Sequence, residues 1–337
     1  MTPSSDDTAA LTALVGRLSG HAVTALHRGG QGGNNRLYRA ETAHGPLAVK
    51  CYFRHPGDSR DRLAVEFAAL GFLGGHGITC IPKAIAAAAE DGVAVYSWLS
   101  GAKLEQRQPG DMERMAAFLA QVHGLAAIPA ARALPLASEA CLSSAELVSQ
   151  LQRRVARLGE GAAGGSPAFA RFLTAELAPA VAAMKALADP AELDWPRRTL
   201  SPSDFGTHNA LRRADGGLDF LDFEYFGWDD PVKLVADTLL HPGMDLSADE
   251  RRQFHAAALA IYGGDPDFAP RLARLTPLYA LRWALIVLNP FLPERWARTA
   301  FATGADRQAV LDRQLGKAKR FVAIAMEKID GERLFIL

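Results

Sequence analysis

The chain has 337 residues, of which 49% are hydrophobic and 22% charged, enough to build a sizeable core and too apolar for a disordered chain. Its 37 Lys and Arg balance 37 Asp and Glu, so the basic surplus that holds nucleic acid by its phosphates is missing, and a bound anion needs a local site. Three scattered cysteines (Cys51, Cys80, Cys141), a start with neither basic nor apolar character, and an apolar stretch at 279–288 broken by Arg282 lead us to expect no disulfide framework, no secretory signal, no membrane span and a cytoplasmic protein.

In chain order, the pattern predicts a short amphipathic helix over 9–18, then strands over 21–28, 36–40 and 47–53. Turn-rich segments, GGQGGNN (29–35) and ETAHGP (41–46), separate the strands. A helix over about 60–73 stops at the glycines of 74–77, and strands over 83–89 and 93–99 flank the hairpin signal Glu90-Asp91-Gly92. Beyond Gly101 the period changes. Met112, Met115, Leu119 and Val122 recur at helical intervals, and further helices are expected over 143–158, 167–188, 231–240, 248–262, 268–288 and 306–329. One insert breaks the helical run: 200–226 is short, polar and carries the strand-like Gly217–Phe223. The expected class is therefore α+β, with a small antiparallel-sheet lobe over 1–99 and a mostly helical lobe over 100–337.

Four features in a fixed order suit phosphate chemistry. The glycine-rich turn at 29–35 lets backbone N–H groups approach a polyphosphate. Lys50 is a lone ammonium within the apolar strand Leu-Ala-Val-Lys, and Glu66 lies on the following helix, able to pair with it. Taken singly, these three fit an ordinary hairpin loop, a solvated lysine and a surface carboxylate. The fourth feature is stronger: SPSDFGTHNAL (201–211) followed by LDFLDFEYFGWDDP (218–231). Transfer of a phosphoryl group from a magnesium nucleotide needs a carboxylate base, oxygen ligands for the metal and a cation on the phosphates. Asp204 suits the base, Asn209 and Asp222 the metal, and Lys50 the cation.

D-x-x-x-x-N followed by an L-D-F-E strand resembles the catalytic and metal loops of the aminoglycoside phosphotransferase and choline kinase family, which has a protein-kinase-like two-lobe fold. GGQGGNNRLYRA is similar to that family's nucleotide loop, and Leu-Ala-Val-Lys and Val-Glu-Phe-Ala-Ala-Leu to its lysine strand and paired-glutamate helix. The resemblance covers roughly residues 20–290 and implies an ATP- or GTP-dependent kinase that uses Mg²⁺ and phosphorylates a small-molecule hydroxyl. It implies that Asp204 is the base, Asn209 and Asp222 the metal ligands, and Lys50 the phosphate-binding lysine with Glu66 its partner. Gly30, Gly32, Gly33, Asn34 and Asn35 would cover the phosphates, and Tyr96, Ser97 and Trp98 would form the adenine-binding hinge. Asp237 matches a buried structural aspartate.

Two departures stand out. The family's histidine two residues before the catalytic aspartate is replaced here by Pro202, which puts the placement of Asp204 in question, and the metal aspartate is followed by Phe223-Glu224 where a Phe-Gly pair would permit flipping. For the acceptor, Glu224, Trp228, Asp229 and Asp230 would make an acidic and aromatic pocket suited to an amino-alcohol, a sugar or an aminoglycoside-like alcohol; the same residues equally fit core and solvated roles. The alternative to a kinase is a catalytically weak nucleotide-binding scaffold. No nucleic-acid partner is expected, and oligomeric state does not follow from these residues.

Overall fold

The computed structural model describes residues 5–29, 35–54, 60–162, 166–293, 295–296 and 306–327. They fold into two compact units, Met1–Ser138 with Leu200–Trp228, and Glu139–Thr199 with Asp229–Leu337. The boundary expected at 99/100 thus falls inside the first unit.

In the first unit, α1 (Ser5–Ser19) precedes strands β1 (Val23–Arg28), β2 (Arg36–Thr42) and β3 (Leu47–Cys51). After α2 (Arg62–Gly75) come β4 (Ala84–Ala88) and β5 (Val93–Ser97), completing an antiparallel sheet of order β1-β2-β3-β5-β4. The strand alternation decides what each face carries. Val49, Val93 and Val95 join Val15, Tyr38 and Ala40 in the core beneath α1. Lys50, Tyr52 and Tyr96, one residue out of phase, belong to the opposite face, where the Tyr96 ring meets Phe67 of α2 at 6.2 Å. A one-residue slip would exchange these two sets. Asp61 caps α2 by accepting from the Ala64 N–H, and Gly92, at φ +67°, closes the β4–β5 hairpin in the left-handed region.

The same unit adds β6 (Ala102–Lys103) and α3 (Asp111–Gly124). After β7 (Thr199–Ser201) come β8 (Ala210–Arg212) and β9 (Leu218–Phe220), and β6, β8 and β9 form a second antiparallel sheet. Phe118 of α3 stacks on Phe220 at 4.3 Å and on Phe205 at 5.8 Å, fixing the polar insert to a helix by apolar contact. Asp111 accepts a bidentate pair from Arg212 at 3.0 and 2.7 Å. The last strand, β10 (Gly227–Asp229), follows.

The second unit is helical: α4 (Ser144–Ala162), α5 (Pro167–Phe172), α6 (Ala178–Ala183), α7 (Pro231–Leu240), α8 (Ala248–Tyr262), α9 (Phe268–Val287) and α10 (Arg307–Met326). The α9 helix packs against α4, α7 and α10. The continuous helix expected over 167–188 is interrupted by a π-helical turn, Leu173–Leu177. Pro179 explains the break: it has no N–H to donate and its ring crowds the carbonyl four residues back. Among the described residues, no helix is long and apolar enough to cross a membrane. The small antiparallel sheet and helical remainder are those of the expected protein-kinase-like fold.

Candidate active site

The site is built on the first unit, around a buried ammonium. Lys50 Nζ donates to Glu66 Oε2 and Asp222 Oδ1, both at 2.6 Å, and lies 3.4 Å from Glu224 Oε2. Burial opposes the charge of Lys50, but Glu66, Asp222 and Glu224 outweigh it and hold the ammonium protonated above the ordinary lysine range. Glu66 is 3% exposed and fully engaged: besides Lys50 it accepts from Tyr52 Oη at 2.6 Å and from the Phe223 N–H at 3.3 Å. Tyr52 Oη in turn lies 2.7 Å from Tyr96 Oη. Burial and the two neighbouring carboxylates push the Asp222 carboxyl up from its ordinary value, against the pull of Lys50.

The spacing of the polar insert follows from its hairpin. Ala210 pairs with Phe220 across β8 and β9, so Asn209 and Asp222 flank the same end of the hairpin, and the Leu221 N–H donates to the Asn209 carbonyl at 2.8 Å. Asn209 Nδ2 donates to the Asp204 carbonyl at 2.9 Å, which ties the loop before the hairpin to the residue that opens it. Two non-glycine residues here occupy the left-handed region, Ser203 at φ +68° and Asp222 at φ +67°. Such backbone costs about 1–3 kcal/mol per residue and persists where its surroundings over-determine it.

Pro202 replaces the expected histidine without leaving the loop unheld. The Pro202 carbonyl accepts from the Asp204 N–H at 2.9 Å, and Ser201 Oγ accepts from the Ser203 N–H at 3.0 Å. His208 Nε2 lies 3.1 Å from Asp204 Oδ1. The Asp204 side chain is 39% exposed, open enough to meet a substrate.

Several expected roles change. Glu224, expected beside the acceptor, is 3% exposed and belongs to the Lys50 cluster: Arg62 Nη1 lies 3.5 Å from Oε1, and Asn35 Nδ2 donates to Oε2. The Arg62 guanidinium also donates to the Phe53 carbonyl at 2.6 Å. Trp228 is not a pocket wall either, being 1% exposed with its indole N–H donating to the Ala131 carbonyl at 2.8 Å. Asp229 and Asp230 are likewise buried and spent within the second unit. Asp229 accepts from the Cys141 N–H and lies 3.2 Å from Lys233, while Asp230 caps α7 and pairs with Arg271 at 2.6 Å. Asp237 is held by Arg282 at 2.8 Å and Lys233 at 3.3 Å. In the hinge, the Ser97 N–H already donates to the Lys83 carbonyl at 2.9 Å and is not available to an adenine; Trp98, past the end of β5, carries the Arg39 guanidinium 5.1 Å above its ring. Gly30, Gly32, Gly33 and Asn34 lie outside the described residues. Of their loop, Asn35 is placed: its Oδ1 accepts from the Phe53 N–H at 3.2 Å.

Sequence reasoning missed Arg62, Tyr52 and His208. Arg62 and Tyr52 read as a helix-start arginine and a strand-end tyrosine, and only the fold shows them converging on Glu224 and Glu66. His208 had a signal, since it stands four residues after Asp204 in the loop already singled out.

Glu66, Asp222 and Glu224 offer carboxylate oxygens within 4.8 Å of one another, and the amide of Asn209 offers a neutral oxygen at the end of the hairpin. An all-oxygen set with one half-exposed carboxylate suits Mg²⁺, which keeps waters and phosphate oxygens in its shell. The first unit thus holds an ammonium between a helix glutamate and the Asp222 carboxylate, with a second aspartate, Asp204, on a braced loop. A sequence model described as "Phosphotransferase enzyme family" (APH) matches residues 26–275, and the chain belongs to that family. Its structure is similar to choline kinase LicA from Streptococcus pneumoniae, at 18% identity and a TM-score of 0.59, covering 94% of this chain and 98% of that one. It is also similar to macrolide 2'-phosphotransferase MphH from Brachybacterium faecium (19% identity, TM-score 0.54, 93% and 98% covered). A third similar structure is spectinomycin phosphotransferase APH(9)-Ia in complex with ADP and spectinomycin (15% identity, TM-score 0.60, 95% and 98% covered). A search of curated proteins gave no match.

Proposed function

We propose that this phosphotransferase moves the γ-phosphate of ATP or GTP to the hydroxyl of a small molecule, with Asp204 as the base. The observation that carries the reading is the Lys50 cluster: an ammonium that touches Glu66 and Asp222 at 2.6 Å is a charge held ready for phosphate oxygens. The acceptor oxygen forms its bond to the γ-phosphorus as the bond from phosphorus to the β–γ bridging oxygen breaks. The acceptor's proton passes to a carboxylate oxygen of Asp204, and the nucleoside diphosphate leaves. Mg²⁺, when bound, spreads the charge of the phosphate oxygens, and the side chains of Asn209 and Asp222 would hold it.

The chain's own residues do the positioning. Glu66 fixes Lys50, Asn209 ties the Asp204 loop to the hairpin, and Asn35 links the nucleotide loop to Glu224. The adenine is held by backbone beyond β5, from Trp98 onward, since Ser97 is spent in the sheet. Choline-like amines, macrolides, spectinomycin and gentamicin, named in the similar structures, define a first panel of hydroxyl acceptors. The test is binding of Mg-ATP, and separately of Mg-GTP, to the wild-type protein and to Lys50→Ala. The reading expects affinity in the wild type and a loss of tenfold or more in the variant. Equal affinity, or no affinity in either protein, would overturn it.

A further inference from the structure

The helical unit holds a cavity of about 220 Å³ bounded by the end of α7, the following loop, α8, α9 and α10. Its walls carry three cations, Arg251, Lys317 and Arg320, against one carboxylate, Asp245. Lys317, Arg320 and Phe321 fall at successive three- and four-residue steps along α10 with Ile324, so one helix face presents both the charges and an apolar floor. Neither Lys317 nor Arg320 has an ion-pair partner among the described residues. A larger cavity in the same unit, about 390 Å³, makes the contrast clear. There Arg197 pairs with Asp265 and Asp267, and Arg271 with Asp230 and Asp265, so both arginines are neutralised by neighbours.

We infer that the smaller cavity binds an anionic small molecule, one with a compact apolar body and a single phosphate or carboxylate head. Lys317 and Arg320 beside an apolar floor raise the local potential and leave donors to be satisfied, which an anion does and an amine does not. His241, in the same wall, accepts from the Gly243 N–H at Nδ1 at 3.1 Å, and its ring is steadied edge-on against Trp283 at 4.7 Å. Asp245 occupies the left-handed region at φ +42°, where the short side chain of Asp or Asn is tolerated. As the cavity's one carboxylate it limits affinity for the anion.

Calorimetric titration of the full chain with inorganic phosphate, and separately with acetate, tests the inference. No nucleotide is present and no turnover is read, so the outcome is independent of whether Asp204 transfers phosphate. The expected result is binding of at least one of the two anions, weakened tenfold or more in the double variant Lys317→Gln, Arg320→Gln. Asp245→Asn should tighten the same anion several-fold, a change that loss of folding cannot imitate. The stronger anion identifies the head group. Absence of binding by both, or affinities unmoved by the double variant and by Asp245→Asn, would overturn the site.

Discussion

Glu224 Oε2 lies 3.4 Å from Lys50 Nζ, so the residue two places after Asp222 shares the ammonium with Asp222 itself and with Glu66. Its other oxygen faces Arg62, and both partners are buried. Removing one member of a buried pair leaves the other charge without compensation. Glu224→Ala should therefore lower stability by about 3 kcal/mol, measured by chemical denaturation, with nucleotide affinity falling as Asn35 loses its acceptor. Retention of full stability would show that Arg62 does not depend on Glu224.

Asn209 joins two functions, holding the Asp204 loop through its side-chain N–H and offering an oxygen at the hairpin end. Asn209→Ala should weaken Mg-nucleotide binding and turnover together, whereas Asn209→Asp should recover binding more than turnover because it keeps an oxygen but loses the N–H donor. The two constants, measured separately as affinity and kcat, separate these effects.

Trp228 is a structural residue. With its N–H bound to the Ala131 carbonyl and its ring 1% exposed, Trp228→Phe should cost about 1–3 kcal/mol by leaving that carbonyl unsatisfied. The KM for any acceptor should stay unchanged, and a change in KM without a fall in stability would restore Trp228 to the acceptor pocket.

Glu139 gives the helical unit a defined acid sensitivity. Burial works against its charge, but Arg154 and Arg282 outweigh it and hold the carboxyl down to about 2, against 4.5 in a free chain. The native state thus favours the charged form. The stabilisation is fully present above about pH 4.5 and is lost as pH falls toward 2. Thermal unfolding should show that Glu139→Gln is less stable than wild type at pH 7, with the difference closing through that window. A gap that stays constant with pH would contradict the pairing.

Much of the fold was legible because period and punctuation agree. The alternation in Leu47–Cys51 orders the faces of the sheet, and Glu90-Asp91-Gly92 marks a hairpin whose glycine has positive φ. The break at 173–177 was signalled by Pro179 but hidden by the strong helical composition around it. Within the site, residue type and spacing singled out Asp204, Asn209 and Asp222, and the β8–β9 hairpin brings Asn209 and Asp222 to one end. The same reading could not sort carboxylates by burial. Glu224, Asp229 and Asp230 look alike in sequence, yet one serves the Lys50 cluster and two are spent on Lys233, Arg271 and a helix cap. Such assignments depend on cations distant in the chain, Arg62 and Arg271, which no local pattern connects to them.

The most direct test is transfer of label from γ-labelled ATP to a panel of hydroxyl acceptors by wild type and Asp204→Asn at saturating magnesium. The wild type should label an acceptor hydroxyl, and the variant should be slower by about 100- to 10,000-fold while binding the nucleotide with the same affinity. Equal labelling by both proteins would contradict the assignment of the proton to Asp204 and with it the mechanism proposed for this site.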